Sequence, residues 1–436
     1  MRQRGALLLR FLTNTHKSLI LRAMKARVVI TGLGALTPLG NSMESTWKSL
    51  VNSVSGIGRI TKFDASDFSC RIAGELKGFN PFGYMTAKEA HRTDPVIQYA
   101  LAAAMMAMED AGLTITPHSS LRTGVLVGSG RGGVTTSERN LIAFMAKGPR
   151  AVSPFYTPMS LVNMASGYIS MKLGAKGPCL DVSTACATGT HALGEAMKLI
   201  QRGDADVMIA GGTEAALTPL ILAGFCQARA LSQRNEEPAK ASRPFDRDRD
   251  GFVLAEGAGV LVLEELTHAQ RREARIYAEL AGYGLSSDAH HYTRPDPEAD
   301  GPARAMMLAI KDAGVRPEAI DYINAHGTST VSNDRIETLA IKKAFNKHAY
   351  NLAVSSSKSM LGHMLGAAGA VEAAVTALSL HQTTIPPTIN YEHRDPECDL
   401  DYVPNHARKK DIRSALSNSL GFGGINAALV LKKYPS

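Results

Sequence analysis

The chain has 436 residues, 44% of them hydrophobic and 20% charged, enough for two ordinary domains or one large domain made of two similar halves. No apolar run approaches the roughly 20 residues that a membrane span needs, so no spanning helix is expected. The net charge of +8 loses its nucleic-acid reading once it is located: Arg2, Arg4, Arg10, Lys17, Arg22, Lys25 and Arg27 all precede the first acid, Glu44, and removing those seven leaves +1.

Residues 1–26 are acid-free and Arg-rich, with Leu7, Leu8, Leu9, Phe11, Leu12, Leu19, Ile20 and Leu21 available for an apolar face. The run Ala6–Leu9 is too short for a secretory core, and Ser18 is the one serine, which disfavours a plastid signal. A mitochondrial import leader, and hence a matrix location, is expected; a non-functional extension ahead of Met24 is the alternative. Cysteines 70, 179, 186, 226 and 398 follow no disulfide or zinc spacing.

Arg27-Val-Val-Ile-Thr-Gly-Leu-Gly predicts a buried strand entering a glycine turn, and strands and helices alternate from there, the α/β pattern. A repeat follows. The helix Ala104-Met-Met-Ala-Met-Glu-Asp-Ala-Gly-Leu, ended by Gly112, is echoed by Ala305-Met-Met-Leu-Ala-Ile-Lys-Asp-Ala-Gly-Val, ended by Gly314. The strand Thr123–Gly128 is matched by Asp321–Gly327. A buried strand entering a helix, Leu180–Cys186, is matched by Leu352–Lys358, and Val207–Glu214 by Ala415–Gly424. Four matches in one order predict a duplicated βαβ unit whose strand ends converge on one central site. Residues 227–250, rich in Arg, Asp, Glu and Pro, read as a long surface loop.

Cys186 falls where a strand turns into a helix beginning near Ala187. Free N–H groups and the helix dipole there favour a thiolate, and Ala185, Ala187 and Gly189 leave room for a carbonyl. A buried structural cysteine is the plainer reading. His326, in Asn324-Ala-His-Gly-Thr-Ser-Thr, ends a strand at the sheet's carboxyl edge, and His363 follows Lys358 within Ser357-Lys-Ser-Met-Leu-Gly-His. Each histidine could equally be a satisfied core residue. Lys358 is odd in so apolar a setting unless paired, with Glu372 a candidate. Asn418-Ser-Leu-Gly-Phe-Gly-Gly can point backbone N–H groups into a site, or simply be a tight turn. Gly128-Ser-Gly-Arg-Gly-Gly fits a dinucleotide pattern, but Lys147-Gly-Pro-Arg stands where an acidic ribose ligand belongs, which argues against nicotinamide binding.

Thr184-Ala-Cys-Ala-Thr-Gly, Asn324-Ala-His-Gly-Thr-Ser-Thr, Ser357-Lys-Ser-Met-Leu-Gly-His and Leu420-Gly-Phe-Gly-Gly together resemble the beta-ketoacyl-acyl carrier protein synthases, in particular the second, bacterial and mitochondrial subtype. The resemblance runs from Arg27 to Leu431. It implies a duplicated thiolase-like α/β fold, two pseudo-symmetric halves (27–285 and 286–436) in α-β-α-β-α layers. It also implies a homodimer and the decarboxylating condensation of malonyl-carrier with an acyl group held on Cys186, for fatty-acid elongation. His326 and His363 would donate to the enolate oxygen as CO2 leaves. Backbone N–H groups of Cys186 and Phe422 would hold the oxyanion, and Phe422 would also gate the acyl tunnel. Thr328, Thr330 and Phe225 would contact substrate, the threonines near the pantetheine arm. Lys358, Glu372, Asp334 and Glu337 would support the site. No bound cofactor is implied, because 4'-phosphopantetheine arrives on the acyl carrier protein. No catalytic metal is implied either, although some members hold a structural monovalent cation near positions matching Asn324, Glu372 and Asn418.

The second histidine argues for the elongating Cys-His-His class over Cys-His-Asn relatives. Gly421-Phe-Gly stands where thiolases carry a second cysteine. A non-catalytic, chain-length-factor-like partner would lack the nucleophile, and a cysteine hydrolase would not need the second histidine. Arg131 departs from the family, standing at a usually apolar tunnel position and leaving chain length open.

Overall fold

The computed structural model describes residues 25–435, so the expected leader lies outside the described residues except for Lys25 and Ala26. Ten strands form one sheet: β1 (Val28–Leu36), β2 (Thr123–Gly128), β3 (Cys179–Leu180), β4 (Val207–Glu214), β5 (Gly257–Glu265), β6 (Ala278–Ser287), β7 (Tyr322–Asn324), β8 (Ala353–Ser355), β9 (Ser414–Gly421) and β10 (Ile425–Lys432). Across the sheet the order is β3-β2-β4-β5-β1 and then β6-β10-β9-β7-β8. The second five repeat the first in mirror order. Within each set the three outer strands run parallel and the remaining pairings are antiparallel. The sets join through antiparallel β1 and β6, Val28 opposite Leu280 and Ile30 opposite Ala278. The boundary expected at 285/286 falls inside β6; the structural repeat opens at Ala278, because β6 pairs with β10 along its length.

Helices α1 (Pro95–Asp110), α2 (Val134–Lys147), α3 (Met164–Leu173), α4 (Thr188–Arg202), α5 (Pro219–Gln227), α6 (Asp300–Asp312), α7 (Val331–Phe345) and α8 (Ala368–Gln382) complete the frame around the site. The repeated helices of the sequence are the ends of α1 and α6, followed by Gly112 and Gly314 at φ of 58° and 63°, a left-handed conformation that glycine adopts without a Cβ clash. α1 covers β1 and β5, and α6 covers β6 and β10, as outer layers. α4 and α8 pack on one another and against strands of both halves. Every residue of α8 from Ala368 to Leu380 is buried, as a helix enclosed on all sides requires. The layering is therefore helix, first five strands, helix pair, second five strands, helix.

Close approach of the middle pair rests on small residues. A Cβ at Gly189 would come within 2.6 Å of the Ala370 backbone nitrogen, and one at Gly369 within 2.8 Å of the Thr190 nitrogen. The packing brings the N-terminal ends of α4 and α8 together, one from each half.

Two expectations need correction. The segment before Cys186 is not a buried strand: β3 is a two-residue edge strand with Leu180 44% exposed. Residues 227–250 are not simply a surface loop. Ser232, Ser242, Arg243, Phe245, Asp246 and Arg249 are buried, because their charges satisfy one another and the backbone. Arg249 donates to the carbonyls of Thr330 (3.1 Å) and Val331 (2.9 Å) and to Asp395 (2.6 Å), tying the segment under the His326 loop.

Candidate active site

Cys186 sits on a short turn, Ala185–Ala187, between β3 and α4. Ala185 has φ of 51°, a conformation a side chain adopts at a cost. The turn is held by the Thr188 hydroxyl, which donates to the Ala185 carbonyl (2.8 Å) and accepts from the Thr184 N–H (2.9 Å). The thiol faces a cavity of about 750 Å³ that His326, His363, Thr328, Phe225 and Phe422 also line. A sulfur from the first half and two imidazoles from the second therefore share one chamber.

His326 follows β7, and its backbone N–H and that of Gly327 donate to the two oxygens of Glu337, at 2.8 and 2.7 Å. His363 is locked through its backbone instead, donating to the Val253 carbonyl at 2.7 Å and accepting from Ala255 N–H at 3.0 Å. The rings meet edge to face with centroids 5.3 Å apart. Neither ring nitrogen of His363 has a protein partner. Burial, Lys358 and His363 hold His326 well below the ordinary histidine range, and burial and Lys358 do the same to His363. Both are neutral donors.

Lys358, on a short helical turn after β8, pairs with Glu372 on α8, and both side chains are 1% exposed. Its ammonium also stands 3.4 Å from Nδ1 of His326. An ammonium can only donate, so this contact puts the His326 proton on Nε2. Burial pushes Glu372 up to about 7 against the pull of Lys358.

The thiol differs from expectation. Burial pushes Cys186 up to about 11, outweighing the attraction of Lys358 and a hydrogen bond from the Phe422 backbone. A helix end and a cation do not yield a resting thiolate in so dry a setting. The Phe422 N–H nevertheless points at the sulfur, from a turn in which Gly423 and Gly424 have φ of 86° and 69°. The Phe422 ring is 41% exposed.

Thr328 and Thr330 lie at the cavity wall with hydroxyls 3.0 Å apart. Asp334 stands behind them, accepting from Phe245 N–H (2.8 Å) and Ser329 N–H (3.2 Å). Asn324, on β7, donates to the Glu372 carbonyl (3.3 Å), and Asn418, on β9, to Glu337 (3.2 Å). One oxygen each of Asn324, Glu372 and Asn418 is buried without a donor, so this set suits a cation. The Gly128–Gly133 turn is no phosphate cradle: Gly130 N–H is used by Glu214, and Gly132 N–H by Ser129.

Two residues of the site were not anticipated. Glu214 ends β4 and accepts from Ser129, Gly130 and Gly366, clasping the two halves beside Cys186, with burial pushing it up to about 7. An acid closing an otherwise apolar strand was the available signal. Phe252 packs edge-on against His363 at 5.4 Å, and nothing in its sequence neighbourhood distinguished it.

A buried thiol with two neutral imidazole donors and a backbone N–H aimed at its sulfur, set in a duplicated α/β frame, defines an acyl-transferring condensing enzyme. The beta-ketoacyl synthase N-terminal domain model matches residues 25–269, and the C-terminal domain model residues 277–392. The 3-oxoacyl-[acyl-carrier-protein] synthase 2 of Coxiella burnetii is 53% identical over 409 residues, covering 94% of this chain and 99% of that protein. That of a Synechocystis strain is 52% identical over 410 residues with the same shares. Among solved structures, a type II polyketide carrier protein in complex with its ketosynthase matches with a TM-score of 0.87 and 36% identity. The ishigamide ketosynthase/chain length factor matches with 0.89 and 38%, and both matches cover 94% of this chain and all of that one. The chain belongs to the beta-ketoacyl synthase family. It is an elongating 3-oxoacyl-[acyl-carrier-protein] synthase, an acyltransferase of fatty-acid biosynthesis.

Proposed function

We propose that Cys186 carries the growing acyl chain while His326 and His363 stabilise the enolate of the malonyl unit. The carrying observation is that one cavity holds the sulfur and both neutral rings. Cys186 Sγ attacks the acyl-carrier thioester; its bond to the pantetheine sulfur breaks, and the thiol proton leaves with that sulfur. Malonyl-carrier then enters past Thr328 and Thr330. Its C–C bond to the carboxylate breaks, CO2 departs, and the electron pair moves into an enolate whose oxygen accepts from both imidazoles. Fixed donors in a dry site stabilise that charge without giving up a full proton. The enolate carbon attacks the acyl carbonyl, whose oxyanion accepts from the backbone N–H groups of Cys186 and Phe422. The C–S bond to Cys186 breaks, and the sulfur takes up a proton from solvent.

Carrier engagement follows from the same reading. The phosphopantetheine belongs to the carrier, and Arg229 and Arg294 border the cavity, suiting an acidic partner, while Arg335 beside them pairs with Glu397. A homodimer is supported by the exposed edge strand β3 and by exposed apolar side chains in the same half: Ile142 and Met145 of α2 are 64% and 75% exposed, and Met171 of α3 is 67% exposed. A monovalent cation held by Asn324, Glu372 and Asn418 would compensate buried oxygens and take no part in a step. Import into the mitochondrial matrix by residues 1–26 is supported by their composition and by family similarity beginning at residue 25. Fusion of that segment to a fluorescent protein tests it; diffuse cytosolic signal would refute it.

Supplying acyl-carrier and malonyl-carrier to the purified protein tests the chemistry. A 3-oxoacyl product is expected, and Cys186→Ala should abolish it while CO2 release from malonyl-carrier persists. Free fatty acid would indicate a cysteine hydrolase, and no product a non-catalytic chain-length-factor-like partner.

A further inference from the structure

The glycine turn that binds no dinucleotide receives a carboxylate from its own chain. Glu214 is buried at the end of β4, where its backbone pairs with Gly257 of β5. Its Oε2 accepts from the N–H groups of Gly130 and Gly366, both at 3.0 Å, and its Oε1 from the Ser129 hydroxyl at 3.1 Å. The two glycines also meet one another, since a Cβ at Gly366 would come within 2.5 Å of the Gly130 nitrogen. Glu214 lines the same cavity as Cys186, His326 and His363, yet no step of the condensation uses it.

Each of its partners leads to a different reacting group. Gly128, two residues before Gly130, lies against the segment that carries Cys186: a Cβ there would stand 2.2 Å from the Val182 carbonyl oxygen and 2.5 Å from Cγ2 of Thr188. Gly366 follows His363 by three residues, on the turn Leu365–Ala367 that enters α8. That turn sits directly on β4, because a Cβ at Gly212 would be 2.2 Å from the Gly366 oxygen. One carboxylate therefore bonds the sulfur's side of the cavity to the imidazole's side. The Phe422 loop reaches the Cys186 turn by another route, Gly421 packing on the Thr184 carbonyl.

We infer that Glu214 is a positioning residue for carbon–carbon bond formation, holding the Cys186 turn and the His363 segment at the separation that step needs. The inference rests on the reading of Cys186 as the acyl-bearing residue and of the two histidines as enolate donors. Acylation draws on the sulfur and the Phe422 N–H, and decarboxylation on the two rings. Only condensation needs the acyl carbonyl and the enolate carbon brought together, and it is the step most sensitive to a small displacement between the halves.

The test measures three rates on purified native protein and on Glu214→Ala, Glu214→Asp and Glu214→Gln: acylation of Cys186 by acyl-carrier, CO2 release from malonyl-carrier, and 3-oxoacyl product formation by pre-acylated protein. Melting temperatures are recorded for each. Glutamine can set its carbonyl oxygen on both glycine N–H groups and its NH2 on Ser129 Oγ, which already accepts from Gly132 N–H at 2.9 Å. Aspartate is one methylene too short to reach both glycines. Glu214→Ala and Glu214→Asp should each lower product formation about 10²-fold, the scale expected when reacting groups are displaced by about 1 Å, while acylation and CO2 release stay near native. Glu214→Gln should restore product formation. Loss of all three rates together would make the role merely structural and overturn the inference, as would product formation by Glu214→Ala at the native rate. A Glu214→Gln variant as impaired as Glu214→Ala would also overturn it, by tying the effect to charge instead of reach. Should Glu214→Ala fail to fold, Glu214→Asp against Glu214→Gln decides by the same criteria. A native protein that is never acylated at Cys186 would remove the underlying reading, and is told apart because it fails before any variant is compared.

Discussion

The Lys358 ammonium lies 3.4 Å from Nδ1 of His326 while its other side is paired with Glu372, all three groups being buried. One cation thereby does three things: it fixes the His326 tautomer, adds to burial in keeping both rings from protonating and draws the Cys186 thiol partway back from the effect of burial. Removing a single partner of such a pair leaves the other charge stranded in a dry interior.

Lys358→Met should accordingly lose condensation and destabilise the fold by roughly 3–5 kcal/mol, read by urea unfolding. Adding Glu372→Met should restore most of the stability and none of the activity. A single variant as stable as the native protein would show that the pair is not the buried ion pair described above.

Because burial pushes the Cys186 thiol up to about 11, the thiolate is scarce at neutral pH. Its fraction should climb about tenfold per pH unit between neutrality and pH ~10. Alkylation by iodoacetamide, followed on the Cys186 peptide to separate it from exposed Cys179, should rise across that range. A plateau below pH ~8 would mean that Lys358 and the helix end outweigh burial after all.

Much of this was legible in the chain itself, for identifiable reasons. The paired helices ending at Gly112 and Gly314 carry their own stop signals, so the duplication could be read without a structure. The four motifs lie at strand ends, where a doubled βαβ plan makes them converge. What escaped was set by long-range packing. The burial of residues 227–250 depends on Arg243 and Arg249 finding Asp246, Asp334 and Asp395, the last of them nearly 150 residues away. The protonated state of Cys186 depends on how dry the finished cavity is, and local sequence does not report that. Exposure of Leu180 depends on β3 being the last strand on its side, a property of sheet order.

His363→Ala should slow decarboxylation of malonyl-carrier by about 10²–10³, the usual effect of losing one preorganised donor. Acyl transfer from acyl-carrier to Cys186 should survive, since the ring has no hydrogen bond to any protein group in the resting site. Rapid-quench acylation assays beside CO2 release separate the two steps. A variant that can no longer be acylated would show that the ring acts on the nucleophile as well.

Gly189→Ala probes the seam between the halves. Its Cβ would stand 2.6 Å from the Ala370 nitrogen and 3.1 Å from the Gly366 oxygen, both backbone atoms that cannot swing away. α4 and α8 must separate, at a cost of about 1–3 kcal/mol. Cys186 lies three residues before this contact, so condensation should fall more than stability alone explains. Unchanged urea unfolding with full activity would mean that the helix pair yields without disturbing the thiol.

The proposed dimer makes the last demand, on β3. Leu180 is 44% exposed on an edge strand whose other side pairs with β2, with Ile142 and Met145 exposed on α2. Lysine is a common blunting residue on strand edges because its charge resists burial against a second strand. Leu180→Lys should therefore shift the native protein from dimer to monomer at micromolar concentration, read by light scattering after size exclusion. Its acylation at Cys186 should fall in parallel, since β3 leads directly into the strained turn at Ala185. A variant with the native mass would place the contact on another face, and a native protein that is already monomeric would dispose of the dimer.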